Sequence, residues 1–347
     1  MRKNHLWSLL LLLAFPISPD AVANRKTDVV TLYNGDRVTG EIKSVTAGIL
    51  EFGTDGMGTV EIEWQEIATL ESEYHYEFRT SDGERLFGSI DPARLPGQFV
   101  ISDLYGTHEF GWLEIVEVRP IEDTVAERLN IYLSAGYSYN KASSVGQTTF
   151  NTRVSYEDED SRNNLTARTT ITDTDEGTTS SNRADINRQT WTDRTRWFRT
   201  IFANYESNDE LDLEHRIGAG AGVGRYFLDT NESRWLGVIG AQVINEKPLR
   251  GADGESTSNS QDVELILTTH YDAWRLNTPE LDLQLRFTLY PSVTESGRVR
   301  SDTDLVMRWE IIEDLFFDIT AWATTDNEAE SERTVDYGIT TGVGWEY

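Results

Sequence analysis

From about Leu129 to the C-terminus the chain keeps a two-residue rhythm, apolar then polar, cut into segments of strand length. Side chains of a β-strand point alternately to opposite faces, so this rhythm asks for a sheet with one apolar and one polar side. The last eleven residues show it without interruption. Tyr337, Ile339, Thr341, Val343, Trp345 and Tyr347 share one face, while Gly338, Thr340, Gly342, Gly344 and Glu346 share the other. A terminal strand of this kind, closing on an aromatic, reads as the last strand of an outer-membrane β-barrel, where lipid-facing and lumen-facing residues alternate.

Twelve such segments follow one another. Their outward rows include Ile131 to Tyr139, Phe150 to Tyr156, Leu165 to Ile171, Trp197 to Tyr205, Leu211, Leu213 and Ile217 to Phe227, then Trp235 to Val243, Val263 to Tyr271, Leu281 to Leu289, Leu305 to Ile311 and Phe317 to Ala323. The fourth segment, near Arg183 to Trp191, is poorly patterned. An even count suits a single-chain barrel with both ends on one side of the membrane. Connections after even segments read as short, such as Asp229 to Ser233. Those after odd segments read as longer and polar, such as Asp173 to Asn182, Asn245 to Ser260 and Pro291 to Arg300. Short turns belong to the periplasm, which places the barrel termini and everything before them there.

The start of the chain agrees. Arg2 and Lys3, the apolar run Leu6 to Phe15 and the Ala21-Val22-Ala23 site compose a secretory signal peptide, residues 1–23. The expected organisation is therefore a signal peptide at 1–23, small β-barrel units at 24–73 and 74–122, and a barrel at 128–347 of about twelve antiparallel strands, all-β throughout. With 59 acidic and 31 basic residues the net charge is −28, which argues against nucleic acid as a partner. There is no cysteine, so disulfides and thiolate chemistry are absent.

The two small units emerge from a shift of 48 residues, which superposes Gly35 on Gly83, Arg37 on Arg85, Gly40 on Gly88, Trp64 on Trp112 and Ile67 on Ile115. Each copy opens on an Asn-Gly or Asp-Gly turn and continues through short alternating runs, the pattern of a small SH3-like or Sm-like barrel. Trp64 and Trp112 are expected in a core rather than as exposed stacking platforms.

The inward half of each barrel segment holds Arg153, Arg168, Asn204, Glu214, Arg216, Glu264, His270, Asp282, Gln284, Arg286, Asp304, Arg308, Glu310 and Asp318. A midplane arginine on the lipid side would cost about 2–4 kcal/mol, so these are read as lumen-lining. They either fill the barrel with ion pairs or line a water-filled path. Glycine occupies the inward positions from Gly218 to Gly224, read as curvature, with an inward-folded loop as the alternative. Catalytic, metal and cofactor motifs are not found: the four histidines after the signal peptide sit in no HExxH, and no GxSxG occurs. The acidic stretches Asp173 to Gly177 and Ser301 to Asp304 lack the order of a calcium loop. His215, outward-facing near one interface, leaves a lipid hydrolase as a remote alternative.

The opening segment DVVTLYNGDRVTGEI (Asp28 to Ile42), the segment EIEWQEIATLES (Glu61 to Ser72) and the GVGWEY terminus resemble the YdiY-like salt-induced outer-membrane proteins, a barrel family of unknown function in Gram-negative bacteria. The resemblance implies an outer-membrane location and transfers no catalytic residue. The terminal octet also resembles the signal read by the barrel assembly machinery, through Thr340, Gly342, Trp345 and Tyr347. A second copy of the N-terminal unit departs from the simple family pattern. The expected function is a narrow channel for ions or small polar solutes with a periplasmic binding or plug-like domain. The alternative is a filled structural barrel whose periplasmic domain binds peptidoglycan or a periplasmic protein. Outer-membrane lipid and the assembly machinery are the other expected partners, with no cofactor.

Overall fold

The computed structural model describes residues 27–121, 125, 128–141, 144–158, 160–192, 196–209, 213–248, 260–327 and 334–345. The expected signal peptide, Leu211, Tyr347 and most of the Asn245 to Ser260 loop lie outside the described residues. The chain is all-β, in two sheets.

The first sheet contains β1 (Asp28–Leu32), β2 (Arg37–Thr46), β3 (Ile49–Thr54), β4 (Gly58–Glu63), β5 (Ile67–Thr80), β6 (Arg85–Asp91), β7 (Gln98–Asp103), β8 (Gly106–Gly111) and β9 (Ile115–Pro120), with 3-10 turns at Trp64–Glu66 and Trp112–Glu114. The 48-residue repeat is visible throughout: β4, the first 3-10 turn and the start of β5 recur as β8, the second turn and β9. Gly35 and Gly83, the turn glycines of the two copies, adopt φ of +93° and +92°, which a Cβ would oppose.

The two copies are not separate barrels. β5 is one 14-residue strand that ends the first copy, pairing with β1 through Ile67 to Glu71, and begins the second, pairing with β9 through Tyr76 to Thr80. The boundary expected at 73/74 falls inside it. A single core runs through both copies and includes Phe52, Trp64, Phe78, Phe99, Trp112 and Ile115. Trp64 and Trp112 meet edge to face at 4.5 Å, and the Trp64 indole N–H donates to the Trp112 carbonyl at 2.9 Å. Both are buried, as expected. Asp28, fully buried, joins the copies by accepting from the Ile42 amide and from the hydroxyls of Ser72 and Tyr76. Burial pushes its pKa up against the lowering effect of these donors.

The second sheet is an antiparallel meander of β10 (Leu129–Asn140), β11 (Val145–Glu157), β12 (Ser161–Thr174), β13 (Gly177–Trp191), β14 (Trp197–Asn208), β15 (Leu213–Asp229), β16 (Ser233–Pro248), β17 (Ser260–Arg275), β18 (Leu281–Pro291), β19 (Val299–Ile312), β20 (Leu315–Asp326) and β21 (Val335–Trp345). All twelve expected strands form in the expected order. The ten-residue loop expected at Asp173 to Asn182 does not: β12 and β13 continue to a tight turn between Thr174 and Gly177. A row of paired neighbours from Leu129, the first residue of β10, passes through Tyr156, Asn163, Arg188, Ile201, Ala221 and Ala241 to Leu265, well inside β17. That stagger is the strand tilt of a barrel wall.

Most buried residues of this sheet, among them Phe198, Tyr226, Gln242, Ile244, Glu264, Thr288 and Phe316, lie on the inward rows, while Ile131, Ile201, Ile239 and Val343 are exposed on the outward ones. No pairing joins β10 to β21 among the described residues, so both are edge strands, and Tyr137 and Tyr337 are each 73% exposed.

Removing the carboxylate at Asp28→Ala leaves the buried Ile42 amide without its acceptor and the Ser72 and Tyr76 hydroxyls to bond only each other across the space. The expected loss is about 2–3 kcal/mol of stability, read as a lower melting midpoint in full-length protein by tryptophan fluorescence.

Candidate functional site

The first sheet sits on the end of the second where β11–β12, β13–β14, β15–β16 and β17–β18 turn. Arg79, near the end of β5, is enclosed there. Its guanidinium meets Glu117 of β9 and, at 3.2 Å, Asp229 of β15, and lies 5.3 Å from the centre of the Tyr226 ring. These are ion-pair contacts rather than aligned hydrogen bonds. Glu117 also meets Arg119 and, at 3.4 Å, Arg162; Arg119 and Arg162 share Glu157; Arg234 holds Asp229 at 3.0 Å. Burial alone would raise the Glu117 pKa, but Arg119, Arg79, Arg162 and Arg234 hold it well below the usual carboxylate range. Burial likewise opposes the charge on Arg79, and Glu117 and Asp229 outweigh it.

Three further anchors flank this network. Arg196, before β14, donates to the Ser81, Asp82 and Phe227 carbonyls, and its stem occupies the space that a Cβ on Gly83 would need. The turn glycine of the second copy is thus a docking surface as well as a turn. Asn231, in the β15–β16 turn, donates to the Leu113 and Ile115 carbonyls at 3.3 and 3.1 Å. Arg85 stacks on Trp191 at 4.7 Å while pairing with Glu77 at 2.6 Å.

Behind the docked domain lies the inward face. On its β17–β20 arc, charges oppose each other in register: His270 with Arg286, Arg286 with Asp304, Asp282 with Arg308, Arg308 with Asp318. Glu264, 1% exposed, accepts both Arg300 nitrogens at 2.7 Å and the Gln242 amide. Glu310 accepts the backbone amides of Glu280 and Asp314. Arg216 bridges Glu206 and Glu246. Across the meander, Arg153, Arg168 and Arg183 border a cavity of about 300 Å³ with Asp185, and Arg168 stands directly opposite Arg183.

Glu214 departs from the expected inward row. A register shift between Leu213 and His215 sets it beside Lys247 at 2.6 Å, and Lys247 faces His215 across the pair. The same shift turns Leu213, expected outward, to a buried position opposite Pro248. His215 makes no hydrogen bond or ion pair among the described residues. The inward glycines of β15 do accommodate something, but it is side chains of the neighbouring strand: Phe198 lies across Gly224, Phe202 across Gly220 and Asn204 against Gly218. Trp322 lies on Gly338 in the same way, which gives β21 an inward purpose that the alternation does not reveal.

Between the domain and the β16–β20 wall is a cavity of about 480 Å³, where Ala47 and Ile49 face Arg234, His270, Asp272, Asp282 and Arg308. His270 and Asp272 are 2.9 Å apart. This is the polar space at which the lumen meets the domain. Of Thr340, Gly342 and Trp345 at the terminus, all lie in β21, with Gly342 opposite Asp318 and Trp345 opposite Leu315.

The ion network predicts its own pH response. A carboxylate with a depressed native pKa stabilises at every pH above its unfolded value and loses that contribution only as pH falls through the native one. Docking through Glu117 therefore persists from pH 7 to about 5 and fails in stronger acid. Glu117→Ala leaves the buried Arg79 with Asp229 as its remaining carboxylate and removes the contact with Arg162, weakening docking by about 3 kcal/mol, read as faster amide hydrogen exchange in β9 at neutral pH.

The all-β meander with an N-terminal domain on one end is consistent with an outer-membrane β-barrel. No curated protein and no solved structure matches this chain. A family model described as "Protein of unknown function, DUF481" matches residues 133–347, the meander from within β10 to the terminus. On that match, the chain belongs to the DUF481 family of proteins of unknown function.

Proposed function

We propose that the protein is a narrow outer-membrane channel for small polar solutes whose periplasmic mouth is covered by its own N-terminal domain. The observation that carries this reading is the division of the inward face. Arg153, Arg168 and Arg183 form a basic arc on β11–β13, and an arc of opposed charges with an acidic excess lies on β17–β20. In a closed ring of twelve strands these arcs face each other, and a transverse field of that kind orients polar solutes and holds back apolar ones.

Closure is compatible with the side-chain pattern. Outward residues are odd-numbered in both β10 and β21, so an antiparallel ladder matching odd with odd joins the edges without turning any side chain to the wrong face. Edge strands of this length are otherwise open to foreign pairing. Because the chain has no cysteine, a disulfide between Ala135→Cys and either Ile339→Cys or Thr341→Cys tests the ladder directly. Formation of neither would count against a closed wall.

The test of function is conductance of full-length protein in planar bilayers. Wild type is expected to give small steps; Arg168→Ala shifts selectivity toward cations, and Arg79→Ala with Arg196→Ala, which loosens the cover, raises step size severalfold. Silence in all three from folded protein would favour a barrel filled by pairs such as Glu264–Arg300, with the docked domain as the working part, binding peptidoglycan or a periplasmic protein.

A further inference from the structure

The outward wall is almost free of charge. Apart from Asp173, Lys247 with its partner Glu214, and Arg275, all at strand ends, its charged residues are Arg188, Arg199 and Arg225. These three fall on adjacent strands, β13, β14 and β15. Arg199 stands opposite Thr190, two residues from Arg188, and opposite Val223, two residues from Arg225. Residues related in this way are diagonal neighbours on one face, with Cβ atoms roughly 7–8 Å apart. All three are exposed, and none has an acidic partner among the described residues. In a chain of net charge −28, three unneutralised arginines on the side that otherwise carries isoleucine and alanine are unusual.

Their surroundings give the site a second half. Arg225 lies over Trp197 at 5.4 Å and near Phe227, which packs on Trp235 at 4.9 Å. Aromatic residues of this kind mark the interfacial depth of a membrane protein. From Arg188 and Asn163 a groove of about 400 Å³ runs along the wall, floored by Val154, Leu165, Ile186 and Ile201. A cationic rim over an apolar groove matches a phosphate headgroup with an acyl chain beneath it.

We propose that this patch binds an anionic phospholipid of the periplasmic leaflet, its phosphate held by Arg188, Arg199 and Arg225 and an acyl chain seated in the groove. The inference rests on the reading of the meander as an outer-membrane wall. The leaflet follows from position: β13 ends at Trp191 and β14 begins at Trp197, at the end where Arg196 grips the N-terminal domain. The lipid would lie beside the docked domain, under the cover that closes the mouth.

The experiment uses full-length protein in neutral detergent, titrated with phosphatidylglycerol, with phosphatidylcholine and with lipopolysaccharide, and reads bound lipid by native mass spectrometry. Wild type is expected to prefer phosphatidylglycerol, and the triple variant Arg188→Gln, Arg199→Gln, Arg225→Gln to bind it on the order of a hundredfold more weakly. Lys247→Gln, at the opposite end of the wall, leaves that affinity unchanged. Equal binding of phosphatidylcholine, or no loss in the triple variant, overturns the site. A lipopolysaccharide preference abolished by the triple variant overturns the leaflet. Insertion of wild type into liposomes, assayed by protease protection, separates these failures from failure of the membrane reading, which would remove the proposal with it.

Discussion

A guanidinium enclosed between carboxylates from two domains governs how this molecule is put together. Arg79 and Glu117 are paired within the small barrel and Asp229 is held by Arg234 within the large sheet, so a displaced domain would keep those pairs and lose the two contacts between the sheets, Arg79–Asp229 and Glu117–Arg162. Net stabilisation from such a network is modest, because desolvation opposes the attraction. Its effect is on specificity: one placement brings Arg79 to Asp229 and Glu117 to Arg162 at the same time, and neighbouring placements break those crossing contacts. That placement sets Arg196 and Asn231 against backbone carbonyls of the small barrel and leaves a cavity between Ala47, Ile49 and the β16–β20 wall.

The inward face shows a complementary economy of space. Phenylalanines of β14 recline on glycines of β15, and Trp322 on Gly338, so bulky rings occupy depth that the opposite strand gives up. Rings and charges also meet on this face: Trp322 stands opposite Asp304, and Arg308 lies over Phe316 at 4.1 Å. The glycine run is thus a packing device, and the bend it permits comes along with it.

Much of this was legible in the sequence because the information was local. Strand positions follow from the two-residue alternation, and the duplicated unit from a fixed offset. β13 was the exception: its outward row of Thr178, Ser180, Asn182, Ala184, Ile186, Arg188 and Thr190 is mostly polar, so alternation carries little signal there. The same polarity concealed the diagonal of arginines, which exists only once three strands are set in register. The fused core was hidden because nothing in β5 marks the join between copies. Arg79, Glu117, Arg162 and Asp229 are each unremarkable in their own segments and meet only through tertiary placement. Glu214 was misread because a register shift breaks the parity on which the reading depended.

The continuity of β5 makes the duplication mechanical. Fourteen residues at about 3.3 Å each form a rod of roughly 46 Å, with Leu70 pinned to β1 in the first copy and Arg79 at the lock in the second. A load applied to the first copy is carried along one hydrogen-bonded strand to the ion pair that seats the domain. Two independent barrels on a linker would absorb such a pull in the linker; here the strand shared by the copies passes it to the seat of the domain.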